Sequence, residues 1–354
     1  MTATIGLNRR TTPAGQAAAG PATVEGPMPR REERAFIFFA CWILAGLFLD
    51  GWWHNHHQVE TFFTPWHALL YSGFSASTAW GVMDAARYRR LGLERPGVAG
   101  QRLTTLGVGI FGVGMVGDFI WHTVFGIEKS VEALLSPTHL TLMTGGLLLA
   151  TGPLRAAAAT RVDPAPSLRR LTPVLMSAAA ATALVAFFLQ YVSAFKGEVA
   201  GLAVSAAGHG GTESAAILGV AAVLITNALL LGVAAVLLRT WKTPFGSLAL
   251  VFGSVAVMLC GLDSFNRVAI VASAVAAGAA GDVLVARSRT RWVLPLVPLV
   301  LWPLWFALLR LTGPMVWSAN LWCGTTYLAV LTGVGLNVLT GTGKMTPAPE
   351  PSTT

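Results

Sequence analysis

Long apolar runs, separated by short polar or basic segments, occupy most of this chain. Each run is long enough to cross the hydrocarbon core of a bilayer as a helix, which takes about 17–25 residues. The pattern predicts about ten transmembrane helices, over residues 35–53, 66–86, 103–123, 137–153, 172–195, 214–238, 245–263, 267–286, 291–311 and 316–339. Because a helix satisfies its own backbone hydrogen bonds in lipid, the predicted fold class is all-α, a polytopic integral membrane helix bundle.

The composition excludes an ordinary soluble domain. The chain is 54% hydrophobic and 11% charged, whereas soluble domains carry about 25% charged residues. Its three cysteines, Cys41, Cys260 and Cys323, fall singly in predicted helices and form no paired-cysteine motif. Neither a disulfide framework nor a cysteine-based zinc site is therefore predicted.

The net charge of +8 is explained by membrane topology. With the N-terminus in the cytoplasm, the ten helices place nearly all of the 24 Lys and Arg residues on the cytoplasmic side. The exceptions are Lys129, Lys196, Arg267 and Arg310. This asymmetry follows the positive-inside rule and predicts a multi-pass protein of the plasma membrane with both termini cytoplasmic. The expected partner is the lipid bilayer, and no nucleic acid is expected.

Composition also divides the chain into five segments. Residues 1–34 are rich in Ala, Gly, Pro and Thr and are expected to be a disordered cytoplasmic tail. Residues 35–153 form a transmembrane unit of four helices, and residues 154–171 form a cytoplasmic linker. Residues 172–340 form a second transmembrane bundle, and residues 341–354 a second disordered tail.

A polar pattern of Asp, Trp-His, Glu and Ser/Thr-Pro-x-His occurs twice in the first transmembrane unit. The first copy comprises Asp50, Trp53, His54, Glu60 and Thr64-Pro65-Trp66-His67, and the second comprises Asp118, Trp121, His122, Glu128 and Ser136-Pro137-Thr138-His139. Each copy joins the end of one predicted helix to the start of the next. The chain is therefore expected to contain a tandem helical-hairpin repeat, helices 1–2 and 3–4, with both polar tips on the exoplasmic side.

Local rules indicate how each tip is built. Thr64 and Ser136 are predicted N-caps, each followed by Pro at the first helical position. His67 and His139 then lie in the first turn of helices 2 and 4. Within each copy, Asp and the first His are four residues apart and project from one helix face. Each tip should therefore bring Asp and His of one helix against His of the next.

One Asp and two His are a common ligand set for first-row metals, including Fe²⁺, Zn²⁺ and Cu²⁺. The predicted metal-binding residues are Asp50, His54, His67, Asp118, His122, His139, Glu60 and Glu128. The two glutamates could supply a further ligand, accept a hydrogen bond from an imidazole, or act as a base. Two simpler interpretations stay open, a metal-free polar or proton-relay cluster and helix capping alone.

The spacing Asp50-x3-His54-x12-His67 resembles the metal-binding motif of the C subunit of copper membrane monooxygenases, which oxidise methane, ammonia and short hydrocarbons. That subunit has a later Asn-x3-His-x13-His, similar to the second copy here, which has Asp118 in place of Asn and a longer final spacing. The resemblance covers about residues 36–153. It implies copper as the cofactor, with iron and zinc as alternatives, and Asp118, His122 and His139 as catalytic residues. It also implies partner subunits; a homo-oligomer is the other possibility.

Three functions are compatible with these residues. The first is a monooxygenase-like membrane protein that oxidises a small apolar substrate. The second is a metal-handling membrane protein, for copper or zinc uptake, storage or loading of an oxidase. The third is a zinc-dependent membrane lipid hydrolase, with Glu60 or Glu128 as base. Whether the chain is itself an enzyme stays open at this point.

Overall fold

The computed structural model describes residues 22–23, 30–57, 62–94, 98–126, 130–160, 165–196, 210–313 and 315–342. Its helices are α1 (Arg30–His56), α2 (Pro65–Arg90), α3 (Val98–Phe125), α4 (Ser130–Leu135), α5 (Pro137–Ala150), α6 (Gly152–Thr160), α7 (Leu168–Phe188), α8 (Gly210–Thr240), α9 (Ser247–Gly261), α10 (Val271–Ala286), α11 (Val293–Thr312) and α12 (Ala319–Thr340). Short 3-10 turns cover Gln190–Val192, Val268–Ile270 and Thr290–Trp292. The extended structure consists of two-residue strands, β1 (Ala22–Thr23) and β2 (Leu93–Glu94), paired in parallel.

Seven of these helices contain a segment long and apolar enough to span a membrane: Arg34–His56, Arg102–Phe125, Leu168–Phe188, Glu213–Thr240, Val268–Ala286, Thr290–Thr312 and Ala319–Thr340. The protein is therefore a helical, multi-pass membrane protein. A helix also lies at the other three predicted positions, but α5 and α9 have only 14 and 15 residues, and α2 is more polar. The total of ten spans and the cytoplasmic placement of the termini stay predictions.

The boundary between the two predicted transmembrane units differs from the expected linker. Residues 154–171 were expected to be a linker, yet α6 (Gly152–Thr160) continues into them and α7 begins at Leu168. The run Ala156–Ala159 explains the extension, since alanine has the highest helix propensity. The rest of the predicted division of the chain into five segments is not tested by the structure and stays a prediction.

Helix α7 is the central helix against which α1, α5 and α6 of the first half pack. It contacts α1, α5, α6 and α9, and 78% of its span is buried. By contrast, only 17% of the α1 span and 22% of the α3 span are buried. Within the first half, α1 pairs with α2, and α3 pairs with α5.

Two glycines allow these pairs to approach closely. A Cβ at Gly46 of α1 would lie 2.7 Å from the Leu70 Cα of α2, and a Cβ at Gly145 of α5 would lie 2.5 Å from the Phe111 backbone nitrogen of α3. Any larger residue would push the backbones apart, which is why small residues are favoured at helix contacts in lipid. Both contacts fix the positions of the helix ends that carry the polar pattern.

Two buried polar residues of the second half, Asn227 and Asp282, have structural partners. Asn227, which is fully buried, donates to the Ala329 carbonyl and accepts from Trp302 Nε1, both at 3.0 Å. Asp282 accepts hydrogen bonds from the backbone N–H groups of Gly246, Leu248 and Ala249 at the start of α9. Both residues therefore hold helices together.

Candidate metal centre

The first polar copy forms a compact group, called cluster 1 here: Asp50, His54 and His67. Asp50 Oδ2 lies 3.7 Å from His54 Nε2 and 3.4 Å from His67 Nε2. Asp50 and His54 are one turn apart near the end of α1, and His67 is in the first turn of α2. The predicted convergence of these three side chains is confirmed.

The start of α2 orients His67. Thr64 is the N-cap and its side chain accepts a hydrogen bond from the His67 backbone N–H, with Pro65 at the first helical position. The His67 ring is fixed by a 2.7 Å hydrogen bond between Nδ1 and the Phe62 carbonyl oxygen. Because a carbonyl can only accept, Nδ1 carries the proton, and Nε2 is directed at Asp50. An imidazole held in this way by its second nitrogen is typical of metal ligands.

The second polar copy forms cluster 2: Asp118, His122 and His139. Asp118 Oδ1 lies 3.4 Å from His122 Nε2 and 3.1 Å from His139 Nε2. The carboxylate is almost completely buried, at 1% exposure, and His122 is buried with it. A buried carboxylate is costly unless it is paired and hydrogen-bonded, so this cluster requires a positive charge, either protons or a metal ion.

Cluster 2 repeats the anchoring seen in cluster 1. The His122 Nδ1 donates to the Gly126 carbonyl oxygen at 3.1 Å. Ser136, the N-cap of α5, accepts from the His139 backbone N–H, and its Oγ also lies 2.9 Å from His139 Nδ1. Both predicted caps, Thr64 and Ser136, are therefore confirmed. In each cluster the imidazole Nε2 atoms are left facing the carboxylate.

Within each cluster, the distances between the carboxylate oxygen and the imidazole Nε2 atoms fit one metal ion bound by all three residues. With metal–ligand bonds of about 2.0–2.1 Å, ligand atoms of a tetrahedral site lie roughly 3.3 Å apart, and the distances here are 3.1–3.7 Å. Within each cluster the three candidate ligand atoms all lie within 4.8 Å of one another. Asp50 Oδ1 is in addition buried without a hydrogen-bond partner in the described part of the chain. A cation would satisfy that oxygen.

Two aromatic residues connect the clusters. Tyr71 donates a 2.8 Å hydrogen bond to Asp118 Oδ2 of cluster 2, while its ring stacks on His67 of cluster 1. The Phe62 ring lies 5.0 Å from the His67 ring and 6.0 Å from the His122 ring, centroid to centroid. The two clusters are therefore neighbours, and Tyr71 and Phe62 contact both of them.

Sequence analysis missed both of these residues. Tyr71 carries a usable signal, since it follows His67 by one helical turn and so lies on the same face of α2. Its partner Asp118 lies 47 positions away, and no local rule predicts that contact. Phe62 is a hydrophobic residue just before the start of α2. Such residues are common, so nothing in the sequence indicates that this one contacts the site.

Two predicted site residues remain, Glu60 and Glu128, and the first copy also contains two histidines that were not predicted as ligands, His56 and His57. Glu60 and Glu128 lie outside the described residues, so their predicted roles are not tested. His56 and His57, the extra histidines of the first copy, do not join cluster 1. His57 stacks on Trp53 at 3.8 Å, and His56 Nδ1 hydrogen-bonds to the Trp52 carbonyl oxygen.

Both clusters open onto one cavity of about 900 Å³. Asp50, His54 and His67 line it from cluster 1, and Asp118 and His139 line it from cluster 2. Most of its other lining is apolar, from α1, α2, α3, α5, α6 and α7. A nonpolar molecule in this cavity would contact the carboxylates and imidazoles of both clusters.

No protein-family model, curated protein or solved structure matches this chain. The resemblance to the C subunit of copper membrane monooxygenases therefore depends on motif spacing alone. The geometry of the clusters is independent of that resemblance, and it supports metal binding without indicating which metal.

Proposed function

We propose that this protein binds transition-metal ions at clusters 1 and 2 and uses them to oxidise an apolar substrate held in the adjoining cavity. One observation carries the proposal: both Asp/His/His groups have ligand atoms at metal-site distances and line the same apolar cavity. Such a combination is typical of a site that holds a reactive ion away from water beside a nonpolar molecule.

Each residue type has a defined part in this proposal. The carboxylate and the two imidazoles of each cluster hold the ion, and the backbone carbonyls of Phe62 and Gly126 fix the imidazole rings. Aromatic side chains such as Phe62 exclude water. A bound redox-active metal would supply oxygen activation and electron transfer. We assign the catalytic role to Asp118, His122 and His139, since cluster 2 is the more deeply buried of the two.

Copper is the metal we propose, with iron as the alternative for oxidation; zinc, the other metal that the ligands would accept, would fit hydrolysis instead. The coordination chemistry of one carboxylate and two imidazoles accepts all three, and the motif resemblance favours copper. We also propose that the site faces the exoplasmic side of the plasma membrane, as the distribution of basic residues predicts. A partner subunit or a second copy of the chain would complete the assembly.

Elemental analysis of the purified protein tests this function. We expect about two metal ions per chain in the wild type, about one in Asp50→Ala or Asp118→Ala, and none in the double variant, because each cluster loses its only carboxylate. Glu132→Ala, which removes an exposed acid, is the control and should retain both ions. Electron paramagnetic resonance then identifies copper.

Three results would contradict the proposal in different ways. A wild-type protein that retains no more metal than the double variant would leave only a proton-relay or structural role. Zinc as the sole bound metal would contradict redox chemistry and favour hydrolysis. Metal uptake into proteoliposomes that is lost in the double variant would indicate a metal-handling protein.

A further inference from the structure

The cavity beside the clusters is elongated along the helices. Glu32 and Asp50 both line it from α1, and the rise between them is about 27 Å at 1.5 Å per residue. That length approaches the roughly 30 Å thickness of a bilayer hydrocarbon core. A cavity of about 900 Å³ with this length fits an extended aliphatic chain much better than a compact molecule.

A basic side chain lies at the cluster end of this cavity. Lys196, which follows α7, lines the cavity together with Asn55 and Gln190. Its Nζ contacts Asn55 Oδ1 at 3.5 Å, and Asn55 Nδ2 donates to Gln190 Oε1 at 2.9 Å. Lys196 forms no ion pair with any residue in the ranges that the structure describes. These groups form a polar rim beside cluster 1.

The environment of Lys196 favours an anionic ligand. Burial lowers the pKa of Lys196, and the nearby Asp263 only partly opposes this effect. A partly buried ammonium without an ion pair is costly, and a bound anion would reduce that cost. The opposite end of the cavity is lined by the basic Arg89 as well as by the buried Glu32. Arg89 is exposed, so it gains less from a bound anion than the half-buried Lys196 does.

We propose that the cavity binds a long-chain aliphatic carboxylate, with its head group at Lys196 and its hydrocarbon tail between α1, α2, α3, α5 and α7. In this position the first carbons of the chain lie beside clusters 1 and 2. Any oxidation of this ligand rests on the proposed function above, whereas its binding does not. The ligand class is thus a fatty acid or an amphiphile of equivalent shape and charge.

Equilibrium binding of palmitate to the protein in nanodiscs tests the head-group assignment, with empty nanodiscs as background. We expect saturable binding that Lys196→Gln weakens about tenfold or more, the usual loss when a charged hydrogen-bond partner is removed. Lys242→Gln, at an exposed lysine, is the matched control and should bind like the wild type. Hexadecane, which has the same chain length without a charge, should bind equally to all three proteins.

Chain length tests the position of the tail. Val108 lines the cavity from α3, about 15 Å along the helix from Asp118. Val108→Trp should therefore block palmitate while leaving the shorter octanoate with wild-type affinity. Lys196→Glu provides a second variant on a loop should Val108→Trp not fold, and it should abolish palmitate binding.

The results separate this inference from the proposed function. Absence of saturable palmitate binding, or equal affinities in Lys196→Gln and Lys242→Gln, would overturn the ligand assignment even if both clusters hold metal. The Asp50→Ala, Asp118→Ala double variant should still bind palmitate. Palmitate binding to a wild-type protein that holds no metal would support the ligand assignment and contradict only the metal chemistry.

Discussion

The hydroxyl of Tyr71 offers the sharpest test of the candidate metal centre. It is the only described side chain that contacts cluster 1 through its ring and cluster 2 through a hydrogen bond. Tyr71→Phe removes the hydrogen bond to Asp118 Oδ2 and retains the ring that stacks on His67. The variant should therefore weaken metal binding at cluster 2 and leave cluster 1 unchanged.

The expected magnitude follows from the contacts of Asp118. A hydrogen bond to a charged group contributes about 1.5–3 kcal/mol, which corresponds to roughly 10- to 100-fold in affinity. Partners that orient a metal ligand usually have effects of the same size. Thr138 Oγ1 also donates to Asp118, at 3.3 Å, and continues to orient the carboxylate in the variant. We therefore expect the lower end of this range, about tenfold.

Metal titration against a competing chelator measures this effect at each cluster separately. Asp50→Ala leaves cluster 2 as the only site, and Asp118→Ala leaves only cluster 1, so Tyr71→Phe is tested in both backgrounds. Tyr88→Phe is the matched control, since Tyr88 lies on the same helix and donates a 2.8 Å hydrogen bond to Glu32 at the opposite end. Equal affinities of Tyr71→Phe and Tyr88→Phe for metal at cluster 2 would refute the reasoning. A loss confined to cluster 1 would refute it as well.

Two further predictions concern the packing of the second half. Gly278→Ala should lower the free energy of unfolding by about 1–3 kcal/mol, because its Cβ would lie 2.5 Å from the Ala249 backbone, whereas Gly335→Ala, with open space around it, should have little effect. Asn227→Leu should lower it by about 1–3 kcal/mol, because the buried Trp302 N–H loses its acceptor, and adding Trp302→Phe should recover part of the loss. Thermal unfolding in detergent measures both effects, and equal stability of Gly278→Ala and Gly335→Ala, or of Asn227→Leu and the wild type, would contradict them.

The sequence was sufficient for those features of the site that depend on local geometry. Asp118 and His122 share a face because they are four residues apart, and Ser136 places His139 in the first turn of α5 because a capped helix has a fixed start. These rules act within a few residues and need no knowledge of the fold. The helix positions followed from hydropathy for the same reason, although α6 was missed where an alanine run extends a helix into the expected linker.

The features that the sequence did not reveal depend on the way the helix pairs approach each other. Tyr71 reaches Asp118 because the α1–α2 pair and the α3–α5 pair both pack on α7 and also contact each other directly. In that direct contact, Phe74 of α2 stacks on Phe111 of α3. The cavity arises from the space that remains between those pairs, and Lys196 reaches it from a connection after α7. In a single sequence, a tyrosine in a helix and a lysine in a loop look like ordinary interface residues. Their roles become visible only with the tertiary arrangement.

The uneven packing of the two halves connects the fold to the proposed chemistry. A cavity of about 900 Å³ deprives its lining of many van der Waals contacts, which destabilises a helix bundle. Here the cavity lies among the thinly buried helices α1 and α3, while α7 belongs to the main buried core with α8–α12. The second half and α7 thus form the densely packed part of the protein. The first half contains the cavity and the Asp and His residues of both clusters. On the cavity side, Asp50 keeps a buried carboxylate oxygen that has no hydrogen-bond partner among the described residues, and a cation bound at cluster 1 would satisfy it.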